Sequence, residues 1–171
     1  MRQKQIAAPP GFREAIIAFT VAGFNLAISA AAVSEIRSLE GLHSFSPGKA
    51  YDCPDSVRYT MHRNGALYFV VDAARQFHLP PSVAKSQPSR VMILRLAATA
   101  VLVDSTDRMA EISVLHALPQ AFSGEERKWY RGLAMFGEDV VPVVNHLSFL
   151  SGSNLAALRS AALQLRGVAA V

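Results

Sequence analysis

The sequence predicts a mainly β protein, and three observations support that fold class. Short apolar runs of strand length recur along the chain, separated by turn residues. The dipeptide Asn64-Gly65 directly precedes one of these runs and is a strong hairpin signal, because both positions of a tight primed turn need positive φ. Helical periodicity is clear only near the C-terminus. With 171 residues, 51% of them apolar, the chain suits one domain or two small subdomains that share a core.

The first predicted element is a hairpin within residues 15–33, a stretch of nineteen residues without a charge. Length alone would allow a membrane span there. Large and small side chains alternate with period two on either side of Ala22-Gly23, however, and Thr20 and Asn25 interrupt the apolar run. This pattern favours two strands joined by a turn. Hydropathy by itself leaves a membrane anchor or a signal peptide open.

Further strands follow along the chain, with loops between them. The other predicted strands are four apolar runs, at residues 66–71, 91–96, 99–103 and 140–144. Residues 29–36 stay ambiguous, because their alanines favour a helical turn while their position after a strand favours sheet. Residues 44–57 are predicted to be a loop. A proline-rich connector at residues 79–90 is expected to join two halves of the chain.

Helices are predicted at two places. Ser123 and Glu126 have the spacing of a capping box and could begin one short turn. Near the C-terminus, Ser153 could cap a helix that Gly167 could end. The apolar stripe of that helix is Leu155, Leu158, Ala162 and Leu165. The chain is therefore divided into an N-terminal arm at residues 1–13, a main domain at residues 14–150, and a C-terminal helix and tail at residues 151–171.

A weak internal repeat is visible in the sequence. The segments at residues 26–28 and 33–36 are echoed 76 positions later, at residues 102–104 and 109–112. The segment at residues 69–72 is echoed 73 positions later. Two similar offsets suggest a duplication that builds two small β units side by side. The groove between such units is a natural place for a partner.

These segments together resemble the CheW-like adaptor domains of bacterial chemosensory systems, over residues 14–150. The resemblance rests on the hairpin at residues 19–28, Val-Ser-Glu-Ile-Arg at residues 33–37, Arg63-Asn64-Gly65, Val-Val-Asp at residues 70–72, the strands at residues 91–96 and 101–104, and the segments at residues 110–112, 130–134 and 140–145. One departure concerns an arginine. The family usually has arginine directly before the turn glycine, whereas here Asn64 takes that place and Arg63 lies one position earlier.

The resemblance implies a fold of two five-stranded β-barrels packed side by side. It also implies a cytoplasmic, non-catalytic adaptor that couples the regulatory domain of a CheA-type histidine kinase to the cytoplasmic tip of a chemoreceptor. On this basis the receptor side is expected at Val33, Glu35, Arg63, Asn64 and Gly65. A small-ligand-binding β-barrel, a stand-alone hydrolase and a membrane-anchored sensor accessory protein remain alternatives.

Two aromatic residues are further candidates. Trp129 and Tyr130 are adjacent in the sequence and have the side chains that most often anchor a protein partner. The same two side chains could equally cover an apolar core, because each combines a large apolar ring with one polar atom. The sequence leaves both interpretations open.

Composition argues against several other functions. The formal net charge of +4 is spread thinly, without the basic stripe typical of nucleic-acid binding. The five histidines lie far apart and Cys53 is the single cysteine, so no metal ligand set, cofactor or intramolecular disulfide is expected. The neighbouring Asp52 should raise the pKa of the Cys53 thiol. Asp104 and Asp107 are explained as a strand-end turn with local hydrogen bonds.

Overall fold

Eleven strands in two sheets dominate the computed structural model, which describes residues 11–80, 89–95 and 97–168. The strands are β1 (Glu14–Val21), β2 (Phe24–Ser29), β3 (Val33–Arg37), β4 (Leu42–Ser44), β5 (Val57–Arg63), β6 (Ala66–Asp72), β7 (Arg90–Leu94), β8 (Thr99–Val103), β9 (Ser105–Ile112), β10 (Tyr130–Phe136) and β11 (Asp139–Val144). The α-helices are α1 (Ala73–Gln76) and α2 (Gly152–Val168), and three 3-10 turns lie at Ala30–Ala32, Glu125–Lys128 and His146–Ser148. The predicted mainly β class is confirmed.

The two sheets have related topologies. The first has the strand order β10-β11-β2-β1-β9, and the second has the order β3-β7-β8-β6-β5-β4. Each contains one parallel pair, β11 with β2 and β6 with β8. The repeat offsets relate β2 to β8, β3 to β9 and β6 to β11. Equivalent strands therefore have equivalent places in the two sheets, on either side of the parallel pair. β3 pairs with β7 in the second sheet and β9 pairs with β1 in the first, so the two halves exchange a strand and interlock.

The expectation of two closed five-stranded barrels is not confirmed. The second sheet has six strands, and among the described residues no strand pairing joins the two edge strands of either sheet. Other contacts bridge the open side of each sheet. His116, after β9, and Leu133 on β10 exchange two backbone hydrogen bonds of 2.8 Å. In the second sheet a side-chain ion pair joins β3 to β5. Each sheet therefore curls without forming a complete ring of backbone hydrogen bonds.

Buried side chains form a central core between the sheets and one smaller cluster within each sheet. The central core includes Phe19, Ile28, Phe69, Val71, Met92, Val101 and Leu158. The cluster of the first sheet includes Ile16, Phe136 and Val143, and that of the second includes Met61, Val70 and Ile93. The helix α2 covers part of the central core with Leu158, Ala161 and Ala162. Alternate residues of β2, β6, β7 and β8 thus face two different cores.

The uncharged stretch at residues 15–33 forms the predicted hairpin. β1 and β2 are antiparallel, and the turn residues Ala22 and Gly23 have φ values of 51° and 81°. Asp104 secures this turn from a distance: its Oδ2 atom accepts a hydrogen bond of 2.7 Å from the backbone N–H of Ala22. Asp104 lies at the bend between β8 and β9, as predicted, and it also links this bend to the β1–β2 turn. Within the described part of the chain, no helix is long and apolar enough to cross a membrane.

The second predicted hairpin is also confirmed. Asn64 and Gly65 join β5 to β6 with φ values of 49° and 76°, as a primed turn requires. The ambiguous residues 29–36 combine both possibilities. A 3-10 turn at Ala30–Ala32 leads directly into β3, which continues to Arg37.

The predicted helix caps need correction. α2 begins at Gly152, and its cap is Ser151: the Ser151 Oγ atom accepts from the backbone N–H of Asn154 at 3.1 Å, and the Asn154 side chain accepts from the backbone of Ser151 at 3.0 Å. Ser153 therefore lies inside the helix, and Gly167 does not end it because it continues to Val168. The short turn predicted at Ser123 begins after Gly124 instead.

Parts of the predicted domain division cannot be followed in the structure. Residues 1–10 of the predicted arm, residues 81–88 of the predicted connector and residues 169–171 of the predicted tail lie outside the described residues.

Candidate partner-binding site

An ion pair between Glu35 and Arg63 is the centre of the candidate site. The Nε atom of Arg63 donates to Oε2 of Glu35 at 3.1 Å, and its Nη2 atom donates to Oε1 at 3.2 Å. Two parallel bonds of this kind hold both side chains in one orientation. Arg37 lies beside them, with its Nε atom 3.7 Å from Oε1 of Glu35. The Glu35 and Arg63 side chains keep 36% and 38% of their surface exposed, so both remain accessible to a partner.

A β-bulge in β3 gives Glu35 its position. Val33 pairs with Leu94 on β7 while Glu35 pairs with the adjacent Ile93, so the register shifts by one residue between them. Ser34 lies at the bulge and its hydroxyl donates to the Ile93 carbonyl at 3.0 Å. A bulge redirects the side chains that follow it. Val33 consequently faces the central core with only 5% of its surface exposed. This burial does not favour the expected direct contact of Val33 with a partner.

The β5–β6 turn completes the site. Arg63 forms the last cross-strand pair of this hairpin, with Ala66, and the exposed residues Asn64 and Gly65 follow it. Side chains two positions apart on a strand share a face, so Arg63 lies on the side of Met61, toward β3. An arginine one position before its usual place therefore still reaches Glu35. We name Glu35, Arg37, Arg63, Asn64 and Gly65 the Glu35–Arg63 surface.

The chemistry of the Glu35–Arg63 surface suits hydrogen bonding to a protein partner. Its charges sum to one positive unit, from two guanidinium groups and one carboxylate. A guanidinium carries five N–H donors, and the ion pair with Glu35 uses two of those of Arg63. Its other donors can meet carbonyl or carboxylate oxygens of a partner while Glu35 keeps the side chain in place.

Trp129 and Tyr130 lie elsewhere and mainly cover the central core. The ring centroid of Phe77 is 5.6 Å from that of Trp129 and 5.8 Å from that of Tyr130. His78 stacks on the outer side of Trp129 at 5.5 Å. Burial raises the pKa of the Tyr130 phenol, and the charge of Glu126 raises it further. The sequence leaves open whether Trp129 and Tyr130 anchor a partner or cover the core. These contacts favour the second interpretation.

A second polar cluster, without a signal in the sequence, ties β1 to β10. Arg131 donates to both carboxylate oxygens of Glu14, at 2.6 and 3.1 Å. Burial acts to raise the pKa of Glu14, but hydrogen bonds from Arg131 and Ser29 and the charge of Arg131 together lower it below its ordinary value. Burial lowers the pKa of the neighbouring His146, the charge of Arg131 lowers it further, and Glu14 opposes both effects. No sequence pattern could reveal a pair separated by 117 positions.

The remaining candidate chemistry is limited. Among residues 11–80, 89–95 and 97–168, no three His, Cys, Asp or Glu side chains come together as a metal site would need. Burial raises the pKa of the Cys53 thiol and the charge of Asp52 raises it further, as the sequence predicts. A shallow depression of about 360 Å³ lies between Leu115, which packs against the cluster of the first sheet, and Tyr130, which packs against the central core. That position does not correspond to the interior of a ligand-binding barrel.

The fold defines a class of two-sheet β domain whose halves are interlocked by strand exchange, with a half-exposed ion pair closing the second sheet. The chain belongs to the CheW-like domain family, whose model matches residues 15–153. Among solved structures, the chain is similar to the scaffolding protein TtCheW from Thermoanaerobacter tengcongensis, with 16% identity and a TM-score of 0.68 over 82% of this chain and 95% of that one. At this identity the similarity shows the fold alone. No curated protein matches the sequence.

Proposed function

We propose that the chain is a non-catalytic signalling adaptor that couples the regulatory domain of a CheA-type histidine kinase to the cytoplasmic tip of a chemoreceptor. The observation that carries this proposal is the match of the CheW-like domain over residues 15–153, which spans both sheets. The similarity of the fold to a protein described as a scaffold also supports it.

The receptor side is proposed to be the Glu35–Arg63 surface. Two of its features support that role. Its side chains are exposed enough to be reached, and the double hydrogen bond between Arg63 and Glu35 restrains them before binding. Restraining a side chain in its bound conformation reduces the entropy lost on association. The kinase is expected to bind a different surface, since an adaptor must hold both partners at once.

Calorimetric titration tests the proposal with two separate partners, a soluble receptor-tip fragment and the regulatory domain of the kinase. We expect each to bind alone, and the second to bind when the first is saturating. Arg159→Glu is the matched control for the charge reversal Arg63→Glu, because Arg159 is exposed on α2 and lies outside the Glu35–Arg63 surface. If neither partner bound the folded protein, or if the two competed for one surface, the proposed coupling would be wrong.

A cytoplasmic location is part of the same proposal, because both proposed partners act on the cytoplasmic side. Fractionation of cells that produce the full-length chain tests it. We expect the protein in the fraction that a salt wash releases. Recovery only with membranes after salt and carbonate washing would instead support the alternative of a membrane-anchored accessory protein.

A further inference from the structure

Three large apolar side chains are exposed side by side on the first sheet. Met135 on β10 and Val140 on β11 are direct cross-strand partners, and they are 47% and 57% exposed. The parallel pairing of Val144 with Ile28 places Val140 level with Phe24 on β2, which is 51% exposed. Alternation puts all three on the face that farther along the strands forms the central core. We name Phe24, Met135 and Val140 the Met135 patch.

The internal repeat provides a counterpart for this patch in the second sheet. Subtracting the offset of 73 from Met135 and Val140 gives His62 and Leu67, which are also direct cross-strand partners, on β5 and β6. The first residues of the two turns correspond as well. Gly137, with a φ of 63°, follows β10 just as Asn64, with a φ of 49°, follows β5. The two hairpins are therefore structural equivalents.

The counterpart hairpin is contacted by α2. Leu67 packs against the central core, which α2 enters with Leu158 and Ala161. In the last turns of the helix, a side-chain nitrogen of Arg166 contacts Nε2 of His62, and the Gln164 side chain accepts a hydrogen bond from the Tyr51 hydroxyl. α2 contains two arginines and no acidic residue. This hairpin surface thus accommodates an amphipathic helix with basic side chains.

The Met135 patch differs from its counterpart in two respects. Among the described residues no helix packs over it, and its three side chains remain about half exposed. In the chain, α2 follows β11. The equivalent strand β6 is followed instead by the short helix α1 and the proline-rich residues 79–90. The exposed Glu138, in the turn between β10 and β11, also places negative charge at the edge of the patch.

We propose that the Met135 patch is a docking site for an amphipathic helix of a partner protein, with Lys or Arg beside its apolar stripe. The apolar face of such a helix would cover Phe24, Met135 and Val140, while its basic side chains would lie near Glu138. A symmetric pair of two copies fits less well, because it would bring two acidic turns together in a protein of formal net charge +4. The proposal does not depend on the proposed function, since this patch shares no residue with the Glu35–Arg63 surface.

The probe is a synthetic peptide with the sequence of residues 151–168, titrated into the intact protein and followed by amide NMR shifts. We expect shifts on β10, on β11 and at Phe24. The double variant Met135→Thr/Val140→Thr keeps good strand propensity and should weaken the affinity about tenfold or more. Leu163→Ser is the matched control, because Leu163 is 71% exposed on α2 and its loss should leave the affinity unchanged.

A second peptide, with both arginines replaced by glutamate, tests the charge argument and should bind several times more weakly. Three results would overturn the proposal. The first is a set of shifts confined to β5, β6 and α2, which would mean that the peptide displaces the native helix. The second is equal affinity of the peptide for the double variant and the native protein. The third is concentration-dependent dimerisation in sedimentation that the double variant abolishes, which would make a second copy the occupant.

Discussion

Arg63 on β5 donates to both carboxylate oxygens of Glu35 on β3, although three strands of the same sheet lie between β3 and β5. The ion pair therefore spans the open side of the curled second sheet, where no backbone pairing joins the described edge strands. One contact thus has two consequences. It contributes to the closure of the sheet, and it restrains the side chains at the centre of the proposed receptor surface.

The first prediction concerns the reversal of one charge. Arg63→Glu should lower the free energy of unfolding by about 1 kcal/mol, because it removes a half-exposed ion pair and places two carboxylates together. If Arg63 were an isolated surface residue, the cost would be only about 0.5 kcal/mol or less. The variant should also weaken binding of a receptor-tip fragment about tenfold or more, with the affinity for the kinase regulatory domain unchanged. Denaturant unfolding and titration calorimetry measure the two effects.

The swapped variant Glu35→Arg/Arg63→Glu separates these two effects. It restores opposite charges across the sheet, so it should recover most of the lost stability. It should not recover receptor affinity, because the partner then meets each charge at the wrong position. Full recovery of both properties, or equal weakening toward receptor and kinase, would contradict the proposed division of surfaces.

The second prediction concerns the β5–β6 turn. Gly65 has a φ of 76°, and a Cβ atom at this position would meet no other atom within 4 Å. Gly65→Ala should therefore cost about 1–2 kcal/mol through backbone strain alone. Gly152→Ala is the control, because Gly152 also has open space but begins a helix, where alanine is favourable. Thermal or denaturant unfolding compares the two. Equal stability of both variants would show that the turn does not require positive φ at this position.

The third prediction concerns the link between the edges of the first sheet. A Cβ atom at Gly132 would lie 2.4 Å from the backbone oxygen of His116, which bonds to Leu133. Gly132→Ala should therefore force the two segments apart and cost about 1–3 kcal/mol. Hydrogen exchange of the Leu133 and His116 amides should accelerate more than exchange in β6. Unchanged protection at these amides would argue against a close approach here.

The fourth prediction is a loss of stability on mild acidification. The pKa of His146 is lowered in the fold, first by burial and then by Arg131, and its Nδ1 atom is buried without a hydrogen-bond partner among the described residues. Below its ordinary pKa of 6.5 the unfolded state therefore binds a proton that the folded state does not. The free energy of unfolding should fall as the pH drops below that value. His146→Gln should flatten this part of the profile, and an equally steep decline in that variant would exclude His146 as the cause.

The fifth prediction concerns metal content. The scattered histidines and single cysteine of the sequence offer no ligand set, so the purified protein should contain no stoichiometric zinc. Its absorption spectrum should show only the bands of the aromatic side chains and the peptide backbone. Elemental analysis and the spectrum measure these two properties. One zinc ion per chain, retained through dialysis against a chelator, would refute the prediction.

Local sequence signals are sufficient for the hairpins and for several strands. Asn64-Gly65 is predictable as a turn because few residue pairs adopt positive φ twice in succession, and the alternation on either side of Ala22-Gly23 places a turn there. The structure has both turns. The predicted strand at residues 99–103 coincides with β8. Such features depend on backbone conformation and on alternation over a few residues, so a short stretch of sequence contains their cause.

The polar strand β9 (Ser105–Ile112) is not among the predicted strands, because it owes its conformation to pairing with the distant β1. Tertiary structure also decided the roles of single residues. The bulge in β3 buries Val33 and directs Glu35 toward Arg63, and the curl of the second sheet brings this pair together. Register and sheet curvature arise from contacts far apart in the chain. The sequence by itself therefore determined which residues form turns and many of the strands, whereas only the folded sheets determined which side chains meet at the candidate site.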